Sequence, residues 1–366
     1  MMARNVLRLC LLVLLALSFA SSLSAQRKDL LMATEYPPKG EAEATQKIIK
    51  LLKERLEKDY PAPERTRRDA HPKQHGLVKA EFTVVEGLPK QYRVGVFAEP
   101  ATYHAWIRYS NLSGQKSPDI AKDSRGMAIK LMGVEGEKIL PAHATASTQD
   151  FVFMSTQIFV TKDVKTFGKL LKSINGGKVS AGVFFLTHLG LLKLFSEVRI
   201  QVANLFDVEW GSTTPYLLGD RAVKYAVLPR TPSGSELPAG TPSENYLRER
   251  MVATLSDQDI YLDFFIQVQT DPVLMPIEDP RVKWNRNLSP FIKVASIKIP
   301  RQTFDTPAQQ LYGDQLSFSP WHALKVHRPL GGLNRGRRAI YETMSKFRHD
   351  RNGEVSEEPE DWITFQ

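Results

Sequence analysis

The chain carries a single cysteine in 366 residues, Cys10, and that residue falls inside an N-terminal leader. A mature chain without any thiol excludes disulfides, zinc thiolates, iron–sulfur clusters and cysteine nucleophiles. No glycine-rich phosphate loop joins a strand to a helix at the required spacing, which argues against a nucleotide-binding α/β domain. No serine stands in a G-x-S-x-G context, which argues against a hydrolase. Apart from His71, the histidines His75, His104, His143, His188, His322, His327 and His349 form no H-x-x-x-H or H-E-x-x-H pair among themselves, so a non-haem metal site has little support from spacing. No RNP, zinc-finger or helix-turn-helix pattern accompanies the net charge of +9 and pI near 9.4. With acidic and basic residues interleaved, that excess does not indicate nucleic-acid binding. Repeats at solenoid periods are absent as well.

What is present is enough apolar residue, 42%, for a real core. Residues 1–25 have the layout of a secretory signal peptide: Arg4 and Arg8, an apolar run from Leu9 to Ala20, then small residues ending at Ala25. That run is shorter than the roughly 20 apolar residues a membrane anchor needs. The expected product is secreted or periplasmic. The remaining divisions are an N-terminal helix and arm over 26–64, a core over 65–350 and a tail over 351–366.

Helical periodicity marks 41–60, with Ile48, Ile49, Leu51, Leu52 and Leu56 on one side. Pro61 and Pro63 break it into an extended arm. Strand composition follows at 77–85, 92–97, 104–112, 126–131 and 151–161, and again at 221–228, 261–270 and 292–299. A short helix is expected over 163–174. The strongly apolar segment 179–198 is interrupted by His188 and Lys193, which favours a buried core helix over a membrane-surface one. Strands in the first and middle thirds with helices at both ends give an α+β fold around a closed antiparallel barrel.

Near the C-terminus, Pro329, Gly331 and Gly332 mark a turn, and Asn334 reads as the N-cap of a helix over 335–348. On it Arg337, Tyr341, Met344 and Arg348 share one stripe. A guanidinium one turn from a phenol favours the phenolate, and a phenolate is a hard anionic ligand for ferric iron. Upstream, the arm carries Arg68, His71 and Lys73, and alternation puts Arg108 and Ser110 on one strand face. An arginine on an apolar strand requires an anion to justify its burial.

Taken in order, Arg68-x-x-His71-x-Lys73, Ile107-Arg108-Tyr109-Ser110, Lys122-Asp123-Ser124-Arg125-Gly126-Met127-Ala128-x-Lys130, Ile158-Phe159-x-x-x-Asp163 and Gly336-Arg337-x-x-x-Tyr341 with Arg348 resemble the haem catalase superfamily, and its smaller catalase-related members in particular. The resemblance covers about 65–348. It implies a catalase-like closed antiparallel β-barrel with flanking helices, a b-type haem and a small-molecule peroxide substrate. Tyr341 would be the proximal iron ligand with Arg337 as its partner, and His71 the distal acid–base residue with Ser110 behind it. Arg68, Arg108 and Arg348 would hold the haem propionates, Phe159 and Phe167 would pack on the porphyrin, and Asp123 would line the access channel.

The pattern departs from the family in three places. Where catalases place a distal asparagine, the stretch Met154-Ser155-Thr156-Gln157 offers Ser155 or Thr156 as a substitute hydroxyl, shorter and less rigidly placed. The sequence ends soon after Arg348, short of the helical domain that follows the barrel in typical catalases, and 179–198 has no counterpart. Three readings follow: an exported haem hydroperoxidase, a haem enzyme acting on lipid hydroperoxides with a membrane-surface contact through 179–198, and a haem-binding protein with little turnover. The family commonly forms homo-oligomers.

Overall fold

Alternating burial along the strands decides the architecture. The structure, a computed structural model, describes residues 30–113 and 117–365. The leader 1–25 lies outside the described residues. Strands β1 (Gln74–Val84), β2 (Thr102–Asn111), β3 (Arg125–Met132) and β4 (Thr148–Met154) form an antiparallel meander. A second group comprises β7 (Arg221–Pro229), β8 (Ile260–Val268) and β9 (Ile292–Ile299). β1 pairs with β9, and the two-residue β5 (Trp210–Gly211) pairs with both β4 and β7. The sheet thereby closes into an eight-stranded barrel, with β6 (Tyr216–Leu218) added on β7.

Every second residue points inward. Val78, Ala80, Phe82, Ile107, Tyr109, Met127, Ile129, Phe151, Phe153, Tyr225 and Phe264 meet in one buried cluster. An eight-stranded barrel is just wide enough for side chains to fill it. The rings of Phe82, Phe151, Tyr225 and Phe264 do so in three edge-to-face contacts and one tilted one, with centroids 5.0 to 5.5 Å apart. Burying each such ring stabilises the fold by roughly 1.5–3 kcal/mol.

A helical layer covers the outer face of β2–β4. It consists of α1 (Glu41–Asp59), α2 (Val164–Asn175), α3 (Gly177–Leu186), α4 (Leu189–Glu197) and α7 (Gly332–Asn352). The remaining helices, α5 (Tyr246–Asp257) and α6 (Pro307–Gln315), pack against β1. α2 is capped by Asp163, whose carboxylate accepts from Thr166 N at 2.7 Å. Ile48 and Leu52 of α1, Val164 of α2 and Leu333 of α7 form the seam of this layer.

Several expectations need correction. Residues 92–97 are not a strand. Gly95 adopts a left-handed φ of 57° and the segment forms two 3-10 turns, Lys90–Tyr92 and Gly95–Phe97. β4 stops at Met154, because its last partner is the very short β5; beyond it Phe159 N bonds Pro280 O instead.

α7 starts three residues earlier than expected, after Gly331 at φ 87°. Its free N–H groups are met by carboxylates, Gly331 N by Glu35 and Gly332 N by Glu278 at 2.8 and 2.9 Å. Asn334 is therefore inside the helix and buried, not its cap. The segment 179–198 is not a core helix. It forms α3 and α4, meeting at 115°, with Val179 82%, Leu186 75% and Leu189 65% exposed. No single described helix is long and apolar enough to cross a membrane.

Candidate active site

The register of β2, β3 and β4 lays outward-facing residues in rows. Ser110 pairs with Gly126 and Gly126 with Met154; Arg108 pairs with Ala128 and Ala128 with Val152. His71 is carried over the first row by the arm that leads into β1. Its backbone is left-handed, φ 64°, which is uncommon for a residue with a side chain. That conformation is secured at both ends of the residue: His71 N donates to Leu112 O at 3.3 Å, and Arg108 Nη2 donates to His71 O at 3.0 Å.

The ring lies on Gly126, whose missing Cβ would stand 2.3 Å from His71 Cε1. His71 Nδ1 is 3.0 Å from Ser110 Oγ. Burial, reinforced by the nearby cations of Arg108, Arg68 and Arg337, pushes the imidazole down to about 3. It is neutral at any ordinary working pH.

Arg68, Arg108 and Arg348 converge from the arm, β2 and α7 on the C-terminal end of α6. Arg68 Nη1 donates to Asp314 O at 3.1 Å, Arg108 Nε to Gly313 O at 3.2 Å, and Arg348 Nη2 to Gln315 O at 3.3 Å. A β-bulge at Gln74/Gly76 aims the Gln74 amide oxygen at Arg108 Nε, 2.8 Å away. Among the described residues Asp314 is the carboxylate ion-paired with this group, 3.3 Å from Arg108 and 3.7 Å from Arg68, and Glu354 adds a second negative charge acting on Arg348. The three cations thus outnumber the anions near them. Burial, and in part mutual repulsion, lowers all three guanidiniums; Arg68 falls well below its usual value and Arg348 to about 10.

Across the cavity, α7 presents Arg337 and Tyr341. Arg337 Nη1 donates to Thr214 Oγ1 and Asn334 Oδ1, both at 3.3 Å, and its guanidinium lies 5.8 Å from the Phe159 ring centroid. Asn334 is anchored in turn by donating to Pro215 O and Leu330 O at 3.0 Å. Phe159 and Phe167 meet edge to face, centroids 5.5 Å apart.

His71, Ser110, the three arginines, Arg337, Tyr341 and both phenylalanines open onto one cavity of about 1700 Å³ between the barrel wall and the helical layer. Ligand pockets usually hold about 300–1000 Å³, so the space admits a cofactor together with a sizeable substrate. Of the expected residues, His71, Ser110, Arg68, Arg108, Arg348, Phe159, Phe167, Arg337, Tyr341 and Asp123 line it.

Ser155 does not line the cavity. Its hydroxyl accepts from Arg125 N at 2.9 Å, continuing the β3–β4 ladder past its end. Met154 occupies the wall beside Gly126, so a thioether stands where the substitute hydroxyl was expected. Alternation along β4 was the signal: Phe151 and Phe153 face inward, hence Met154 faces out. Asp123 is fixed by Ser113 N and Ser124 N at 3.0 and 2.9 Å. Gln74, Asp314 and Thr214 are supporting residues that the linear motifs did not mark.

The donor set fits a haem. Two propionates would balance the surplus of buried guanidinium charge, the Gly126 gap lets an imidazole lie flat on the wall, and a phenol projects from the opposite helix.

No family model matches the sequence, and no curated protein does. Solved structures do. A fungal catalase shares 15% identity over 78% of this chain and 60% of its own, with a TM-score of 0.63. Catalase A from Saccharomyces cerevisiae shares 16% over 79% and 62%, TM-score 0.62, and a bacterial catalase 16% over 88% and 64%, TM-score 0.62. The likeness is one of fold, and the chain spans 60 to 64% of the length of these catalases. The closed barrel with flanking helices is thus a catalase-like fold.

Proposed function

We propose that this catalase-fold chain is an exported haem-dependent hydroperoxidase. Export rests on the leader 1–25 and places the protein outside the cell or in the periplasm. A non-covalently held, b-type cofactor is supported by composition: the only cysteine lies in the leader, and no C-x-x-C-H run exists for covalent attachment. Tyr341 would hold the iron from α7, Arg68, Arg108 and Arg348 would hold the propionates, and Phe159 and Phe167 would pack on the ring. When bound, haem supplies the iron at which a peroxide O–O bond is broken and the oxidising equivalents are kept.

The chain's own residues do the rest. Ser110 Oγ accepts from His71 Nδ1–H, which fixes the tautomer whose Nε2 lone pair faces the cavity. His71 Nε2 takes the proton from the near oxygen of the hydroperoxide and returns it to the far one, so that water or an alcohol leaves. A histidine held down to about 3 is available as a base down to acid pH, and its contribution to the rate should be flat from pH 5 upward. Met154 offers no hydrogen-bond donor to a second peroxide, which favours oxidation of an organic donor over disproportionation.

The observation that carries this reading is the neutral His71 ring seated between Ser110 and Gly126 on the cavity that Tyr341 faces. An absorption spectrum of the mature protein tests it. Wild type should give a high-spin ferric haem spectrum, and Tyr341→Phe should shift that spectrum or lose the haem. An unchanged spectrum in the mutant removes Tyr341 as ligand.

A second reading, a lipid hydroperoxide met at a membrane surface, is favoured by α3 and α4. Their inner side chains Ala181, Phe185 and Phe195 line the cavity, while Val179, Val183, Leu186 and Leu189 are exposed. From Val164 to Val198 there are five lysines and one glutamate. An apolar face ringed by lysine suits an anionic bilayer, at about 1 kcal/mol per lysine. Wild type should float with anionic vesicles and the Val183→Glu, Leu186→Glu, Leu189→Glu triple variant should not; a wild type that stays at the bottom of the gradient ends this reading.

A further inference from the structure

Four residues along β3 from Gly126, about 13 Å at the usual strand rise, the same wall carries a polar cluster. Lys130 pairs across the ladder with Asp150, and its Nζ donates to Asp150 Oδ1 at 2.7 Å and Glu358 Oε2 at 2.5 Å. Glu358 Oε2 also accepts from the Thr148 hydroxyl at 2.7 Å, leaving Oε1 turned toward His322, 3.5 Å from its Nδ1. Asp150 Oδ2 accepts from Ser319 N at 2.9 Å and stands 3.1 Å from His322 Nδ1. The His143 ring lies against that of His322, centroids 4.1 Å apart. Among the described residues the His143 side chain makes no hydrogen bond, although it is half-buried.

We propose that His143, His322 and Glu358 bind one divalent transition-metal ion of the zinc class. One ligand atom from each falls within 4.8 Å of the other two. Bonds of about 2.0–2.2 Å at tetrahedral angles place ligand atoms roughly 3.3 Å apart, which small rotations of these side chains supply. Two imidazoles and a carboxylate are an established zinc donor set. Asp150 completes the arrangement from behind: an imidazole that donates Nδ1–H to a fixed carboxylate presents Nε2 to a metal in a set orientation. Lys130 and Thr148 hold one Glu358 oxygen and leave the other for the ion.

His143 and His322 both line the large cavity, so the fourth position opens toward it. The three ligands come from the 3-10 turn Pro141–His143, the loop before α7 and the tail after α7. The bound ion therefore clips the tail to the barrel at the rim of the cavity. Distance along the chain explains why spacing in the sequence did not show the site.

The test is a zinc titration of the mature full-length protein, stripped with chelator, against a chromogenic chelator, with cobalt as a spectroscopic substitute. One zinc per chain is expected, together with a tetrahedral cobalt spectrum and a raised unfolding temperature. His143→Ala and Glu358→Gln should each weaken binding by more than the roughly 10–100-fold that an outer partner is worth, while His188→Ala should not. His143 sits on a surface turn, so its variant should unfold with the same cooperativity as wild type without metal. If zinc fails to bind stoichiometrically, or binds unchanged in both ligand variants, the cluster is an ion-paired knot in which His322 bridges Asp150 and Glu358. The site does not depend on haem: zinc binding by a colourless protein would still support it, and a haem protein that ignores zinc would overturn it alone.

Discussion

Gly126→Ala should reduce peroxide turnover by at least about 100-fold in a protein that still folds. An added Cβ would sit 2.3 Å from His71 Cε1, 2.4 Å from Nδ1 and 3.1 Å from Ser110 Oγ. β3 is paired on both sides, with β2 and β4, so the backbone at 126 has nowhere to retreat. The imidazole must move instead, by about an ångström or more, and a displacement of that size at the reacting centre is worth about two orders of magnitude. Crowding of this kind costs about 1–3 kcal/mol, which a barrel of this size tolerates. Turnover and thermal unfolding measured on the same preparation decide the matter. Full activity in Gly126→Ala would show that the ring position is unimportant and that His71 is not the acid–base group.

Much of the barrel was legible because period-2 alternation is a strong local signal. The strand over 292–299 is matched residue for residue, and those beginning at 77, 104, 126, 221 and 261 are placed within three residues. The failures share a physical cause, which is that they depend on tertiary partners. Residues 92–97 have strand composition, yet Gly95 turns back so that its backbone can approach His327, where a Cβ would stand 2.2 Å from Nε2. Asn334 has the chemistry of a cap, but Glu35 and Glu278, distant in sequence, satisfy the helix end and free Asn334 to orient Arg337.

The candidate site divides in the same way. His71, Ser110, Arg68, Arg108, Arg337 and Tyr341 could be named from motifs, because each motif is short and fixed by one local element. Alternation could separate Met154 from Ser155 only once the register had fixed which face Phe151 and Phe153 take, since a single-residue slip exchanges the two faces of a strand. The consequence reaches the chemistry. The wall beside His71 is then made of Gly126 and Met154, and Met154 adds no hydrogen-bond donor there.

Arg348→Leu should weaken binding of ferric haem by about 10–100-fold, the loss of about 1.5–3 kcal/mol in charge-assisted hydrogen bonding, and leave the haem-free protein as stable as before or more so. The two signs come from one arrangement. Arg348 is 96% buried next to Arg108 and Arg68, which share the Asp314 carboxylate, and its guanidinium is driven down to about 10 by burial first, with Glu354 opposing and Arg108 and Arg65 adding to the fall. Removing one of three crowded cations relieves repulsion, while the carbonyls of Asp314 and Gln315 lose a donor. These effects oppose each other in the haem-free protein. With haem bound as proposed, the same guanidinium would face an anion, and its removal would only weaken binding. Haem titration followed by absorbance and urea unfolding of the haem-free form separate the two. A variant that unfolds by more than about 3 kcal/mol more easily, the cost of breaking a buried ion pair, and takes up haem as wild type does would assign the arginines to holding α6 against α7. The cavity between His71 and Tyr341 would then need a different ligand.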